Sequence, residues 1–265
     1  MLRLEDVNIR FGGLKAVTDV SFEVAKGAIH SVIGPNGAGK TTLFNAITGV
    51  VSIGSGAIIL DDERIDGLAP HIICRKGIAR TFQNLRLFAT LSVLDNVLIA
   101  DEARPGAVAG FLPTLLCLPF ARKAETAAKE RAMVLLQAVG LADKASRIAN
   151  TLSYGDQRRL EIARALATMP KLLLLDEPAA GMNPKETGSL IEFIASLPNK
   201  FAVTILIIEH QMRLVMRVSQ QISVLEYGRN IFTGAPDIAR THPEVLRAYL
   251  GGRTAEHALR EYPAT

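Results

Sequence analysis

A chain of 265 residues, 49% hydrophobic and 21% charged, is long enough to bury a sizeable core and too apolar to be disordered. Its net charge of +4, with no long basic run, suits contact with phosphates or anionic headgroups and gives nucleic acid little support as a partner. Cys74 and Cys117 form no CxxC pair and Met1 to Asp6 lack a signal-peptide pattern, so a reducing cytoplasm is expected; the most apolar uncharged stretch, Ala107 to Ala121, is fifteen residues long with two prolines, short of the about 20 that span a bilayer.

Leu2, Leu4, Val7, Ile9 and Phe11, then Phe22 and Val24, alternate roughly as antiparallel strands around a turn at Gly12-Gly13. Ala28 to Ile33 is a short apolar strand that runs into a glycine-rich loop and a helix over Gly39 to Thr48, and Ala57 to Leu60 returns as a strand. From Leu85 to Ala149 the pattern is helical, with an Ala/Lys/Glu/Arg-rich stretch from Ala121 to Gln137 and a Gly140 suited to a helix end. Beyond Lys171 strands and helices alternate: Leu172 to Leu175, a helix after Pro184, Val203 to Ile208, a helix from Gln211, and Ile222 to Leu225. Such alternation predicts an α/β fold with a mostly parallel sheet covered on both faces. The polar tail after Gly251-Gly252 is expected to be loosely held.

Gly34, Pro35, Asn36, Gly37, Ala38, Gly39, Lys40 and Thr41 fit GxxxxGK[ST] between an apolar strand and a helix, where backbone N–H groups and the helix dipole converge on phosphate oxygens. In that pattern Lys40 reaches the β- and γ-phosphates and the Thr41 hydroxyl ligates Mg²⁺, with Thr42 beside it. A glycine turn without a ligand is the weaker reading. Leu172 to Leu175 is a buried strand that ends in Asp176 and Glu177, at the carboxyl end where α/β sheets bind ligands. Asp176 is a candidate Mg²⁺ ligand and Glu177 a candidate general base; alone, an acidic pair before Pro178 would more often start a helix.

Leu152-Ser153-Tyr154-Gly155-Asp156-Gln157, a short helix upstream of that strand, resembles the signature motif of the ABC ATPases, with Tyr154 and Asp156 departing from the common LSGGQ. The resemblance covers almost the whole chain. It implies a P-loop NTPase (RecA-like) core over residues 1–251, with an N-terminal antiparallel β subdomain, a helical subdomain inserted at about 85–165 and a tail at 252–265. It implies that Ser153 and the Gly155 amide contact the γ-phosphate of ATP held by a second ATPase subunit, so that two chains sandwich the nucleotide. Gln83 matches the glutamine that touches Mg²⁺ and the attacking water, and His210 the histidine that hydrogen-bonds the γ-phosphate. Phe11 matches the aromatic that stacks on adenine, against a reading as a strand core residue. Asn183, in Ala180-Gly181-Met182-Asn183, stands where the family usually has Asp. His30, His71, His242 and His257 read as structural.

Within that family the chain resembles the larger ATP-binding subunit of the branched-chain amino acid importers, the Liv type, through Phe11 to Val17, Ala79 to Asn84, Gln157 to Arg164, Pro178 to Pro184, Ile208-Glu209-His210 and Ala248 to Gly251. This implies ATP and Mg²⁺ as cofactors, transmembrane permease subunits, a second and different ATPase subunit, indirectly a periplasmic solute-binding protein, and a peripheral place on the cytoplasmic face of the inner membrane. A urea or short-amide importer ATPase shares most of these strings. A soluble ABC ATPase acting on DNA or ribosomes would need a tandem cassette or coiled-coil insertion, and a small-molecule kinase would lack Ser153, Gly155 and His210 in this order.

Overall fold

The computed structural model describes residues 1–104 and 119–250. Ala107 to Ala121 lies outside them except for its last three residues, and the tail at 252–265 lies outside altogether. The chain divides into two compact units, residues 1–70 with those from 204 onward, and residues 71–203.

In the first unit, β1 (Leu2–Phe11) pairs antiparallel with β2 (Leu14–Val24), from Leu2 opposite Val24 to Phe11 opposite Leu14. It also pairs antiparallel with β4 (Ser55–Leu60), which carries β5 (Glu63–Arg64) at the edge. Leu2 and Leu4 face inward, and so do Val7 and Ile9, although strict alternation would turn that second pair outward. A register shift after Leu4, with Asp6 at φ 47°, restores the inward face. Ser21 donates to the Asp6 carboxylate at 2.9 Å and holds the bulge.

A second sheet of this unit has the order β10-β9-β3-β8. β3 (Ile29–Ile33) is buried throughout and lies parallel to both β8 (Thr204–Ile208) and β9 (Gln221–Glu226), while β10 (Arg229–Gly234) returns antiparallel to β9. Burial on both faces explains the short, largely apolar runs that made β3 and β8 legible. The helices here are α1 (Lys40–Ile47), α7 (Met212–Val218), α8 (Pro236–Thr241) and α9 (Pro243–Leu250). Ile33, Val215, Ile222, Val224, Ala239 and Val245 form a core cluster flanked by Met212, Met216 and Phe232.

In the second unit, α2 (Pro70–Arg75) leads to β6 (Ile78–Arg80), which lies parallel to β7 (Leu172–Asp176) with Ile78 opposite Leu172. The helices are α3 (Val93–Asp101), α4 (Pro119–Ala138), α5 (Tyr154–Ala167) and α6 (Pro184–Phe201), and α3, α4 and α5 pack on one another. The expected helical region therefore contains α3, α4 and α5, with short 3-10 turns at Ala142–Lys144 and Ala149–Thr151. Asp101 joins α3 to α4 by an ion pair to Arg131 at 2.6 Å. Burial works to raise the Asp101 carboxyl, but hydrogen bonds from Arg131 and Arg104 outweigh it and hold it below the usual carboxylate range. Among the described residues no helix is long and apolar enough to cross a membrane.

His30 interrupts the apolar run of β3 and is buried; its Nε2 lies 2.9 Å from Ser223 Oγ and its ring stacks on Phe22 at 5.1 Å. Burial pushes the imidazole down to about 4. The folded state thus binds a proton less readily than the unfolded chain, so stability is full above pH about 6.5 and is lost as the pH falls from there toward 4. The loss should reach the order of 3 kcal/mol near pH 4. Urea unfolding of wild type and His30→Gln at pH 7 and pH 4.5 checks this: the substitution should remove most of the difference between the two pH values.

Candidate functional site

The glycine loop is braced rather than free. At Gly34, φ is 146° and a Cβ would sit 2.1 Å from the Leu225 carbonyl oxygen; at Gly39, φ is 96° and a Cβ would sit 2.6 Å from the Ala16 carbonyl oxygen. Both positions demand glycine twice over, by backbone conformation and by space. Gly228 donates to the Ala38 carbonyl at 3.1 Å, and Thr18 donates to the Gly228 carbonyl at 2.7 Å. The loop is therefore gripped between the start of β2 and the β9-β10 turn. Gly39 precedes α1 and supplies no side-chain cap, so no capping side chain competes with an incoming acceptor at the first turn of the helix. The buried Lys40 donates through Nζ to the Gly34 and Pro35 carbonyls at 2.7 and 2.9 Å, so the ammonium is held over the loop instead of in solvent. Asn36 and Gly37 form its exposed rim and Ala38 is buried beneath it.

In the same unit, His210 follows β8. Its neighbour Glu209 is wholly buried and accepts from the backbone N–H of His210 at 2.8 Å and of Gln211 at 2.9 Å. The carboxylate turns the chain as it leaves the sheet and presents the imidazole outward, 53% exposed. Phe11, at the tip of the β1-β2 hairpin, is 49% exposed, which excludes the reading as a core residue.

The second unit brings the carboxylates and the glutamine together. Asp176 ends β7, is buried, and pairs with Arg80 at 2.8 Å. Its N–H donates to Thr81 Oγ1 at 3.3 Å. Glu177 takes φ 47°, a left-handed conformation that a non-glycine residue adopts only when its surroundings impose it. The turn aims the Glu177 carboxylate at Gln83, whose Nε2 donates to it at 3.0 Å. With the amide nitrogen so engaged, the Gln83 carbonyl oxygen is the end left to act as a ligand. Within the second unit the Gln83 side-chain oxygen and the Asp176 carboxylate are hard oxygen donors with a single buried carboxylate between them, chemistry that suits Mg²⁺ completed by phosphate and water oxygens. Among the described residues there is no cluster of three or more His, Cys, Asp or Glu that could hold a metal by itself.

Ser153 caps α5, accepting from the Asp156 N–H at 3.3 Å, and Gly155 is buried against Glu186. Asp156, the acidic departure in this motif, is matched by Lys144 at 2.7 Å. The other departure, Asn183, builds a capping box for α6: its side chain accepts from Lys185 and Glu186 at 3.0 Å, and Glu186 accepts from the Asn183 N–H at 3.1 Å. Sequence reasoning missed Arg80, Glu209, Arg158 and Glu161. Arg80 comes to the site through β6-β7 pairing, which sets it opposite Leu174, two residues before Asp176.

Comparison with known proteins gives a consistent picture. Residues 17–180 match the ABC transporter family model. The chain is 47% identical over 253 residues to the high-affinity branched-chain amino acid transport ATP-binding protein LivG of Escherichia coli K12, covering 95% of this chain and 98% of that one. It is 35% identical over 258 residues to a probable LivG of Archaeoglobus fulgidus, with 97% of each chain covered. A crystal structure of the ADP conformation of an ATP-binding cassette of an ABC transporter superposes with a TM-score of 0.81 at 33% identity, covering 95% of this chain and 98% of the other.

The tightness of the glycine loop yields a direct test. Gly34→Ala should cost about 1–3 kcal/mol from the forced left-handed backbone alone, and more from the collision with Leu225. Gly13→Ala, where an added Cβ meets open space, should leave thermal unfolding nearly unchanged.

Proposed function

Because the chain belongs to the ABC transporter family, we propose that it is the ATP-hydrolysing subunit of an importer of branched-chain or other hydrophobic amino acids. The observation that carries the hydrolytic part is the 3.0 Å hydrogen bond between Gln83 and Glu177, which sets a carboxylate base beside an amide able to orient water. The identity along nearly the full length to branched-chain amino acid transport ATP-binding proteins supports the solute class.

In this reading the N–H groups of Gly34 to Thr42 hold the phosphates, and Lys40 exchanges the carbonyls of Gly34 and Pro35 for β- and γ-phosphate oxygens. Phe11 stacks on the base. Thr41, the side-chain oxygen of Gln83 and Asp176 would hold Mg²⁺, which when bound neutralises charge on the β- and γ-phosphates. Gln83 orients the attacking water and Glu177 accepts its proton as the oxygen bonds to the γ-phosphorus and ADP departs. His210, steadied by Glu209, hydrogen-bonds the γ-phosphate. Ser153 and Gly155 serve the nucleotide of a second, related ATPase subunit, and permease subunits at the cytoplasmic face of the membrane receive the resulting movement. A periplasmic solute-binding protein feeds the same permease.

Glu177→Gln should retain ATP binding and lose turnover by roughly 10²–10⁴. Turnover within a factor of a few of wild type would refute the assignment of the base. Phe11→Ala should weaken ATP and GTP alike, by about 1–3 kcal/mol, because stacking does not read the base; a loss confined to ATP counts against stacking. Uptake of labelled leucine and of labelled urea by the complex with co-expressed permease and binding protein decides between the solute classes.

A further inference from the structure

Tyr154, Arg158 and Glu161 lie at i, i+4 and i+7 on α5 and so share one face of the helix. That face grips the backbone of the loop that carries Gln83. Arg158 donates through Nη1 to the Phe82 carbonyl at 2.8 Å and through Nη2 to the Gln83 carbonyl. The same guanidinium is held from behind by the Tyr154 hydroxyl at 2.8 Å and by Glu161 at 3.2 Å. Glu161 in turn accepts from the Phe82 N–H at 3.2 Å. Arg158 and Glu161 are almost completely buried, whereas Tyr154 is 41% exposed and its ring edge meets Gly181, where a Cβ would lie 3.3 Å away. One helical turn further on, Arg164 donates to the Arg86 carbonyl and stacks over Phe88 at 4.8 Å. The side chain of Gln83 takes no part in these contacts and reaches Glu177 instead.

A guanidinium fork across two successive carbonyls fixes both the position and the direction of the peptide between them, which a single hydrogen bond cannot do. The peptide fixed here is the one that precedes the Gln83 side chain's attachment point. The helix that supplies the fork begins with Ser153-Tyr154-Gly155.

We propose that Tyr154, Arg158 and Glu161 are positioning residues for Gln83: they lock the peptide of residues 82 and 83 to the first two turns of α5, so that engagement of Ser153 and Gly155 and placement of the Gln83 amide against Glu177 become one mechanical event. This rests on the hydrolytic reading above and deepens it. It also gives Tyr154 a task of its own. The tyrosine holds the arginine fork while its ring borders Gly181, in the loop before α6.

The test uses the full chain. Tyr154→Phe deletes one oxygen and keeps the ring; Arg158→Lys keeps the charge and loses the fork. Each should lower kcat about tenfold by misplacing Gln83, with KM for ATP within about twofold and thermal unfolding little changed. Introduced together with Gln83→Ala, each should cost nothing further, since the residue through which it acts is gone. The same factor lost in both backgrounds, or a change in KM and stability in place of kcat, overturns the proposal. A second measurement stands where turnover is too slow to read. The sequence contains no tryptophan, so Asn84→Trp supplies a single fluorophore on the exposed part of the loop. Its emission should change on addition of Mg-ATP, and Tyr154→Phe should reduce that change severalfold. A parent whose emission ignores Mg-ATP, or a variant whose change equals the parent's, overturns the clasp. If Glu177→Gln keeps its turnover, the hydrolytic reading fails on its own account, and the emission still reports on the clasp.

Discussion

A loop that receives phosphate through backbone N–H groups cannot satisfy those groups from within, and something outside the loop has to keep it open. Here the brace is backbone against backbone. Gly34 lies on the Leu225 carbonyl, Gly39 on the Ala16 carbonyl, and Gly228 links Ala38 to Thr18 by hydrogen bonds. No side chain lies in these contacts, so no rotamer change can relax them. The buried β3 strand behind the loop, with β8 and β9 on either side, gives this brace a rigid footing. Lys40, turned back over the loop onto two of its carbonyls, places a positive charge within the cradle.

The second unit solves a different problem, which is to keep charged groups at a strand end without solvent around them. Asp176 is buried and so is Arg80 beside it; removing either partner would leave an uncompensated charge, a cost of about 3–5 kcal/mol. The next residue reverses its environment. The left-handed turn at Glu177 takes its carboxylate out of the Arg80 pair and hands it to a neutral amide. Two adjacent carboxylates thus have different partners, one cationic and one neutral. Asp156 is balanced by Lys144 and Asn183 is absorbed into a capping box, so neither departure from the usual motifs leaves an unmatched group behind.

How much of this was legible depended on whether a signal was local. β3 with its loop and α1, and β7 with its carboxylates, could be read from residues adjacent in the chain, because a strand buried on both faces writes a short, largely apolar run and a glycine or an acid ends it. The weaker edge elements could not. β10 is only partly buried and shows no alternation, and β5 is two exposed residues long. The short helices α2, α8 and α9 were missed although each opens on a proline, Pro70, Pro236 and Pro243, as α4 and α6 open on Pro119 and Pro184; a fixed φ at the first helical position was a signal available without any partner. The contacts of Arg80, Arg158 and Glu209 were beyond reach for the opposite reason, since each depends on which distant carbonyl or carboxylate the fold brings up. In the site, the loop and the carboxylates were visible as motifs, while the groups that orient them were not.

The brace around the glycine loop has a consequence for the order in which the molecule can be made. The loop itself is complete once Thr41 has been synthesised, yet two of the surfaces that hold it, the carbonyl of Leu225 and the turn at Gly228, are synthesised far downstream of it. A nascent chain paused anywhere before that turn carries the whole motif and lacks its mould. Bracing of the loop is in this sense a property of long-range closure, and closures between segments so distant in sequence are intrinsically slow steps in folding.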